Sequence, residues 1–229
     1  QAGFLPTPQN RQERHENNPI AFPNGEWYPG DNVHTSIGQG DVLVTPLQLA
    51  NAYATFANNG TLRSPNIALR VETQTGELVR EFGERVLGEV EIDPEFRTRA
   101  LEGLLGVTTD EDGTGYDAFN SRNFDGVFFP LADSPVAGKT GTAQKSIKGK
   151  YSKKKVNTFA SIFPVSNPKF VLIVLLDEPK LSKTYVYEYN IDGKKTKIVG
   201  TPFNTAGWTS VEVAKNIIEK IGPILAIKY

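Results

Sequence analysis

The chain has 229 residues, a formal net charge of −1 and no cysteine. This length can bury one good core, and the near-neutral charge provides no general attraction to nucleic acid or to an anionic membrane. Without cysteine the chain forms no disulfide and no thiolate metal site. No apolar run reaches the roughly 18 residues that a transmembrane helix needs. Methionine is also absent, so we expect a fragment, a processed chain or a designed or recombined piece.

The first 60 residues contain one clear helix signal. Residues 1–30 are rich in Pro, Asn, Gln and Arg without periodicity, which predicts an irregular lead-in. Thr45 and Gln48 have the spacing of a capping box, and Pro46 between them suits the first position of a helix. This pattern predicts a helix that begins after Thr45 and ends at Asn59-Gly60.

The middle of the chain predicts a hairpin and a second helix. Two alternating runs on either side of Thr75-Gly76 predict a hairpin over residues 67–82. Asp93-Pro94 predicts a helix start. The side chains expected on the buried side of this helix are Phe96, Ala100, Leu101, Leu104 and Leu105. A loop is expected at 109–115.

Strands dominate the last third. The apolar runs 159–163 and 170–176 are separated by a turn at Ser166-Asn167-Pro168. The second run is nearly all Val, Ile and Leu, which predicts a central strand covered on both faces. Residues 185–199 predict a hairpin that turns at Asp192-Gly193. Apolar residues at helical spacing, from Val211 to Ile221, predict a C-terminal helix.

Residues 138–144, Gly-Lys-Thr-Gly-Thr-Ala-Gln, contain the most informative motif. A Lys-Thr-Gly triplet on an extended backbone supplies an ammonium, a hydroxyl and a residue without a side chain. The first two can hold a carboxylate, and the glycine leaves room for a ligand along the strand. The next amide, at Thr142, can stabilise a developing oxyanion. The triplet alone is also compatible with an ordinary strand end.

The motif lies among other segments that resemble one family. Residues 27–60 include Trp-Tyr-Pro-Gly-Asp, Ser-Ile-Gly-Gln-Gly and Thr-Pro-Leu-Gln-Leu-Ala, and they resemble the matching stretch of class B penicillin-binding proteins. The resemblance extends, in the family's order, to residues 137–144, 159–164, 167–179 and 205–218. These proteins are d,d-transpeptidases that cross-link peptidoglycan and are acylated by β-lactams.

The resemblance implies an α+β fold, an antiparallel sheet flanked by helices like that of serine β-lactamases and transpeptidases. On this basis residues 1–229 are the C-terminal portion of a single transpeptidase domain whose N-terminal part is absent. The reaction implied is acyl transfer from d-Ala-d-Ala stem peptides through an acyl-enzyme, without a metal or an organic cofactor. The implied location is the periplasmic or extracytoplasmic face of the bacterial inner membrane, reached through an anchor outside this chain.

The family's third motif assigns roles to a few positions of this sequence. Lys139 is expected to assist a proton relay and to add positive charge for the substrate carboxylate. Thr140 is expected to hydrogen-bond that carboxylate, while Gly141 keeps the strand open to the ligand. Thr142 is expected to donate its backbone N–H to the oxyanion hole, and Gln144 to line the groove.

The nucleophile is expected outside this chain. Family members use a Ser-x-x-Lys at the start of a helix and a Ser-x-Asn, both before the Gly-Gln-Gly segment. Two segments have the Ser-x-x-Lys spacing without the expected helix, Ser152–Lys155 and Ser166–Lys169. The second motif has one candidate, Ser121-Arg122-Asn123, which follows Gly-Gln-Gly instead of preceding it. The chain alone is therefore expected not to acylate, and the missing part of the domain is expected to be its first partner.

Several alternatives remain open at this point. The chain is a candidate non-catalytic fragment or pseudoenzyme that presents the groove without a nucleophile, or a serine β-lactamase. The Ser36–Gly40 segment is either a wall of the cleft or a turn before the Thr45 helix.

The lysines at 145–155 indicate a solvated hairpin, and His15 and His34 lack metal-ligand spacing. Segments resemble both elongation-type and division-type family members, so proteins of either machinery are candidate partners, and nucleic acid is not.

Overall fold

The computed structural model describes residues 6–121, 135–147, 150–181, 185–191, 194–200 and 203–228. The chain divides into two compact units, residues 1–49 and 50–229. The helices are α1 (Pro8–Asn17), α2 (Pro29–Ser36), α3 (Pro46–Ala57), α4 (Pro94–Thr109) and α5 (Ser210–Lys228), with a π-helical segment at Asp117–Ser121 and a 3-10 turn at Ala206–Trp208. The strands are β1 (Thr61–Arg63), β2 (Arg70–Glu72), β3 (Leu78–Glu81), β4 (Val86–Glu89), β5 (Ala137–Ile147), β6 (Lys150–Phe163), β7 (Phe170–Asp177), β8 (Tyr185–Ile191) and β9 (Lys194–Gly200).

The first unit contains a helix where the sequence predicted an irregular lead-in, so that prediction is wrong. The side chain of Thr7 caps α1 by accepting from the Asn10 amide at 3.1 Å. Along the helix, Gln9 donates to Glu13 at 3.0 Å and Gln12 donates to Glu16 at 2.9 Å. These local polar interactions stabilise a helix that lacks an apolar stripe.

Other predictions for the first 60 residues are confirmed. The Gln48 amide donates to Thr45 Oγ1 at 3.2 Å and the Thr45 amide donates to Gln48 Oε1 at 3.0 Å, which completes the capping box before α3. Gly38 and Gly40 adopt φ values of 72° and 74° between α2 and α3, so this segment is a glycine turn before the helix. Its role as a wall of the cleft stays a prediction.

The second unit is built on an antiparallel sheet with the order β5-β6-β7. The predicted hairpins are confirmed as the pairs β2–β3 and β8–β9, and the turn at 192–193 lies outside the described residues. The sequence predicted a central strand at 170–176, and the described part of the sheet does not show one there. Among the described strands β6 is central, and β7 lies at an edge with Leu175 43% exposed.

The core of the second unit lies between the sheet, α5 and the π-helical segment. Its buried members are Ala118, Phe119, Val136, Phe159, Phe163, Val174, Val211, Ala214 and Ile218. The helix predicted after Asp93 is confirmed as α4, but Phe96, at 68% exposure, and Ala100 are exposed instead of buried. Within the described ranges, no helix combines the length and apolarity needed to cross a membrane.

Candidate active site

The two faces of β5 separate the predicted site residues. Side chains alternate along a strand, so Lys139 and Gly141 lie on one face and Thr140, Thr142 and Gln144 on the other. Lys139, Gly141, Thr142 and Gln144 are exposed, and Thr140 is half-buried. The face that carries the threonines is also the core face, because Thr140 pairs directly with the fully buried Phe159. The motif therefore lies at the surface of the unit, where the core ends.

The backbone of β5 presents alternate amides to the free edge of the described sheet. The Glu178 amide donates to the Lys155 carbonyl at 2.9 Å, so Lys155 directs its backbone groups toward β7. Successive residues of a strand direct their backbone groups to opposite sides. Thr158, three positions after Lys155, therefore directs its N–H and C=O toward β5, where it pairs with Gly141. The N–H and C=O of the next residue, Thr142, then point away from β6.

Two hydrogen bonds confirm this alternation. The Val136 carbonyl accepts from Thr108 Oγ1 at 2.6 Å, and the Thr140 carbonyl accepts from Lys139 Nζ at 2.9 Å. Val136 directly precedes β5 and Thr140 lies in it, so the two acceptors are separated by an even number of residues, and both bond to groups that do not belong to β6. The amide of Thr142 therefore points away from β6, toward the free edge of the described sheet.

A cleft of about 400 Å³ lies beside the threonine face of β5. It is lined by Gly113, Thr114, Asp117, Thr140, Thr142 and the segment 205–208. Thr140 and Thr114 place their hydroxyl oxygens 2.8 Å apart, and the Ala206 amide donates to Thr142 Oγ1 at 3.0 Å. Both threonine hydroxyls of the motif are thus held by contacts from other segments.

An apolar groove of about 540 Å³ lies between α3 and α4 and reaches Lys139. Its lining is otherwise free of charge and consists of Ala52, Tyr53, Phe56, Ala100, Gly103, Leu104 and Val107. Burial raises the pKa of the Tyr53 hydroxyl. Arg97 of α4 fixes one end of the groove, since it donates to the Phe56 carbonyl at 3.0 Å and to the Ala57 carbonyl at 2.6 Å.

Ion pairs connect the C-terminal part of β5 to the end of β7. Lys145 Nζ lies 2.8 Å from Asp177 Oδ1 and 2.8 Å from Glu178 Oε1, and Lys154 Nζ lies 2.8 Å from Glu178 Oε2. The hydrogen bonds from Lys145 and then Lys154 lower the pKa of Glu178 to about 2. Both lysines lie on the predicted β5–β6 hairpin, where the Lys154 side chain is exposed and that of Lys145 is half-buried, and their ion pairs connect β5 and β6 to the end of β7.

The two segments with Ser-x-x-Lys spacing do not lie on helices, as the family's nucleophile motif does. Ser152–Lys155 lies on β6, and Ser166–Lys169 lies in the turn between β6 and β7. Ser121 ends the π-helical segment, while Arg122 and Asn123 lie outside the described residues. The described residues thus contain the third motif without a helical Ser-x-x-Lys.

Neither histidine belongs to a metal cluster in the part of the chain that the structure describes. His15 Nδ1 lies 2.7 Å from the Phe22 carbonyl oxygen, a contact within the first unit. His34 lies in the last turn of α2.

Sequence reasoning missed Thr114, Asp117 and Ala206 as residues of the cleft. The available signal was the Gly113-Thr114-Gly115 triplet, where one polar side chain stands between two glycines. The predicted loop at 109–115 contained this triplet, but nothing in the sequence indicated its contact with β5.

Comparisons with known proteins identify the family. The family profile described as "Penicillin binding protein transpeptidase domain" matches residues 12–199. The peptidoglycan D,D-transpeptidase MrdA of Haemophilus influenzae is 30% identical over 188 residues, which cover 77% of this chain and 26% of the relative. The peptidoglycan D,D-transpeptidase FtsI of Buchnera aphidicola is 31% identical over 160 residues, which cover 69% of this chain and 24% of the relative. The chain thus spans about a quarter of the length of these curated relatives.

A solved structure shows the same fold. Penicillin-binding protein 2B of Streptococcus pneumoniae superposes with a TM-score of 0.59 at 20% identity, over 95% of this chain and 28% of that protein. The α+β fold expected from the sequence is therefore confirmed, for part of the domain. The chain belongs to the penicillin-binding protein transpeptidase family.

Proposed function

We propose that the chain forms one wall of the active site of a peptidoglycan D,D-transpeptidase. The reaction is acyl transfer from a D-Ala-D-Ala stem peptide through a serine acyl-enzyme. The observation that carries the proposal is the Thr142 amide, which points to the free edge of β5 beside a cleft. A preorganised amide at such an edge is the donor that a tetrahedral intermediate requires.

The proposed roles follow from the positions of the side chains. Thr142 donates its amide to the oxyanion, and the Thr140 hydroxyl binds the substrate carboxylate. Gly141 leaves the strand open, which its surroundings support, because an added Cβ would approach nothing closer than 3.8 Å. Lys139 contributes to proton relay and to the positive charge for the carboxylate, and Gln144 lines the groove.

The serine nucleophile is assigned to polypeptide outside residues 1–229. In the family the serine opens a helix, and such a helix needs an apolar surface on which to pack. The groove between α3 and α4 supplies that surface, and Lys139 borders it. A serine on a helix in this groove would lie near the Lys139 ammonium, which supports the relay role of that lysine.

The whole protein is proposed to contain this chain as the C-terminal portion of a single transpeptidase domain. Its proposed location is the extracytoplasmic face of the bacterial inner membrane, through an anchor elsewhere in the polypeptide. Its proposed partners are stem peptides, β-lactams and cell-wall elongation or division proteins. The relatives named MrdA and FtsI are both peptidoglycan D,D-transpeptidases, which supports the substrate class and leaves both machineries as candidates.

Covalent labelling by a fluorescent penicillin tests the proposal. The full-length protein is expected to form a long-lived adduct, and the 229-residue chain alone is expected to remain unlabelled. Lys139→Met should slow labelling roughly 10²- to 10⁴-fold, the usual contribution of a positioned proton-transfer group. The matched control is Lys153→Met, an exposed lysine of β6 with no assigned role, which should label normally.

Two other outcomes would support the alternatives. If the full-length protein remains unlabelled, the chain is part of a pseudoenzyme or a binding module. If the penicillin is turned over rapidly without a persistent adduct, the protein is a serine β-lactamase.

A further inference from the structure

The loop Gly113–Gly115 is held tightly against the end of α4. The Gly113 amide donates to the Asp110 carbonyl at 2.8 Å, and the Gly115 amide donates to the Val107 carbonyl at 2.9 Å. A Cβ at Gly113 would lie 2.6 Å from the Val107 carbonyl oxygen, so no larger residue fits without movement of the backbone. The loop therefore has a fixed position on the helix.

The other side of the same loop contacts the turn at Ala206–Trp208. A Cβ at Gly207 would overlap the Thr114 carbonyl oxygen, so Gly207 permits this close approach. Thr114 is the only residue of the Gly-Thr-Gly triplet with a side chain, and its Oγ1 lies 2.8 Å from Thr140 Oγ1. The fold thus fixes one hydroxyl beside the middle residue of the Lys-Thr-Gly motif.

The hydroxyl protons can be assigned by counting donors. Ala206 N–H donates to Thr142 Oγ1, so the Thr142 hydroxyl keeps its own proton for another acceptor. Thr114 and Thr140 share one hydrogen bond, in which either can donate. When an anion binds to Thr140, the Thr140 proton must point to that anion, and Thr140 then accepts from Thr114. A bound carboxylate therefore selects the arrangement in which Thr114 is the donor.

We propose that Thr114 is a positioning residue that orients the Thr140 hydroxyl toward the carboxylate of the substrate or β-lactam. This inference rests on the proposed transpeptidase function. Thr114 acts through Thr140, so its contribution depends on the ligand carboxylate and on the Thr140 hydroxyl. A residue that only supported the fold would show neither dependence.

The test measures acylation rates of the full-length protein with a penicillin and with the methyl ester of the same penicillin. Thr114→Val removes the hydroxyl at nearly constant volume and should slow acylation by the free acid about 3- to 10-fold, the range of one neutral hydrogen bond. Acylation by the ester should change less than about 2-fold. Thr114→Ser restores the hydroxyl and should return the rate with the free acid to near that of the parent.

A second background tests whether Thr114 acts through Thr140. In a Thr140→Val protein, adding Thr114→Val should cause no further loss with the free acid. Equal slowing of acid and ester by Thr114→Val would overturn the inference, as would an unchanged rate with the acid. In either case a parent that acylates leaves the proposed function standing. A parent that acylates with neither probe overturns both.

Discussion

Gly138 offers a direct test of how the core determines the position of the motif strand. An ideal Cβ at this position would lie 2.6 Å from Phe159 Cε2 and 3.0 Å from the Ala160 carbonyl oxygen. Phe159 is fully buried and packs against Phe119 with ring centroids 6.4 Å apart, so its ring has no free space to enter. A methyl group here overpacks the core, which typically costs about 1–3 kcal/mol.

We therefore expect Gly138→Ala to lower the free energy of unfolding by about 1–3 kcal/mol in urea titrations followed by circular dichroism. Gly141→Ala is the matched control in the same strand. The nearest atom to its added methyl is Thr158 Cβ at 3.8 Å, so stability should stay within about 0.5 kcal/mol of the parent. Equal stability of Gly138→Ala and the parent would refute the claim that the Phe159 ring requires a glycine there.

Three further predictions concern the contacts that hold the site. Thr108 is fully buried and donates to the Val136 carbonyl at 2.6 Å, so T108V should lose about 1–3 kcal/mol of stability, whereas T108S should lose little. Arg97 caps the C-terminus of α3 by donating to two of its last carbonyls. R97M should therefore lower the melting temperature clearly more than the control R99M, which removes an exposed ion pair with Glu95 worth about 0.3–0.5 kcal/mol. Equal shifts would contradict the capping role. The pKa of Glu178 is lowered from 4.5 to about 2 in the folded protein. The ionised Glu178 carboxylate therefore contributes fully to stability above pH 4.5, the ordinary pKa, and this contribution is lost as the pH falls through about 2. The melting-temperature difference between the parent and E178Q should therefore be full at pH 6 and vanish near pH 2, and a constant difference would exclude this linkage.

Elements with a local signal could be predicted from the sequence. The capping box of Thr45 and Gln48 and the turn at Thr75-Gly76 depend on residues within three or four positions, and both appear as predicted. Helix α1 was missed because short-range caps and Gln–Glu bonds stabilise it, without an apolar stripe that periodicity can detect. Phe96 was misassigned because an apolar stripe identifies a face of a helix but not whether another segment covers all of it.

The site could be predicted only in part, for a similar reason. The Lys-Thr-Gly triplet was recognisable because its three residues are adjacent. The partners of its hydroxyls, Thr114 and Ala206, come from positions 26 and 64 residues away from the threonines that they contact. Such contacts are consequences of the tertiary fold, and no local pattern in a single sequence reports them.

Among the described residues, Asp117 is the one charged side chain that lines the cleft beside Thr140 and Thr142, and its negative charge would disfavour an anionic ligand there. A carboxylate held by the hydroxyls of Thr140 and Thr142 would be repelled by the Asp117 carboxylate, and the positive charge of Lys139, which comes from the other face of β5, would offset only part of this repulsion. Removing the like charge in D117N should accelerate acylation of the full-length protein by a penicillin roughly 2- to 5-fold, since exposed charges near 4 Å interact by about 1 kcal/mol in water.

The salt dependence makes this prediction specific. Added salt screens exposed charges beyond a Debye length of about 10 Å at 0.1 M and about 3 Å at 1 M, so the rates of D117N and the parent should converge as salt rises. The uncharged penicillin ester should react at the same rate with both proteins at every salt concentration. If D117N instead slows the free acid, the carboxylate does not bind on the threonine side of β5. Lys139 would then be its main electrostatic partner, because no other side chain of the motif carries a positive charge.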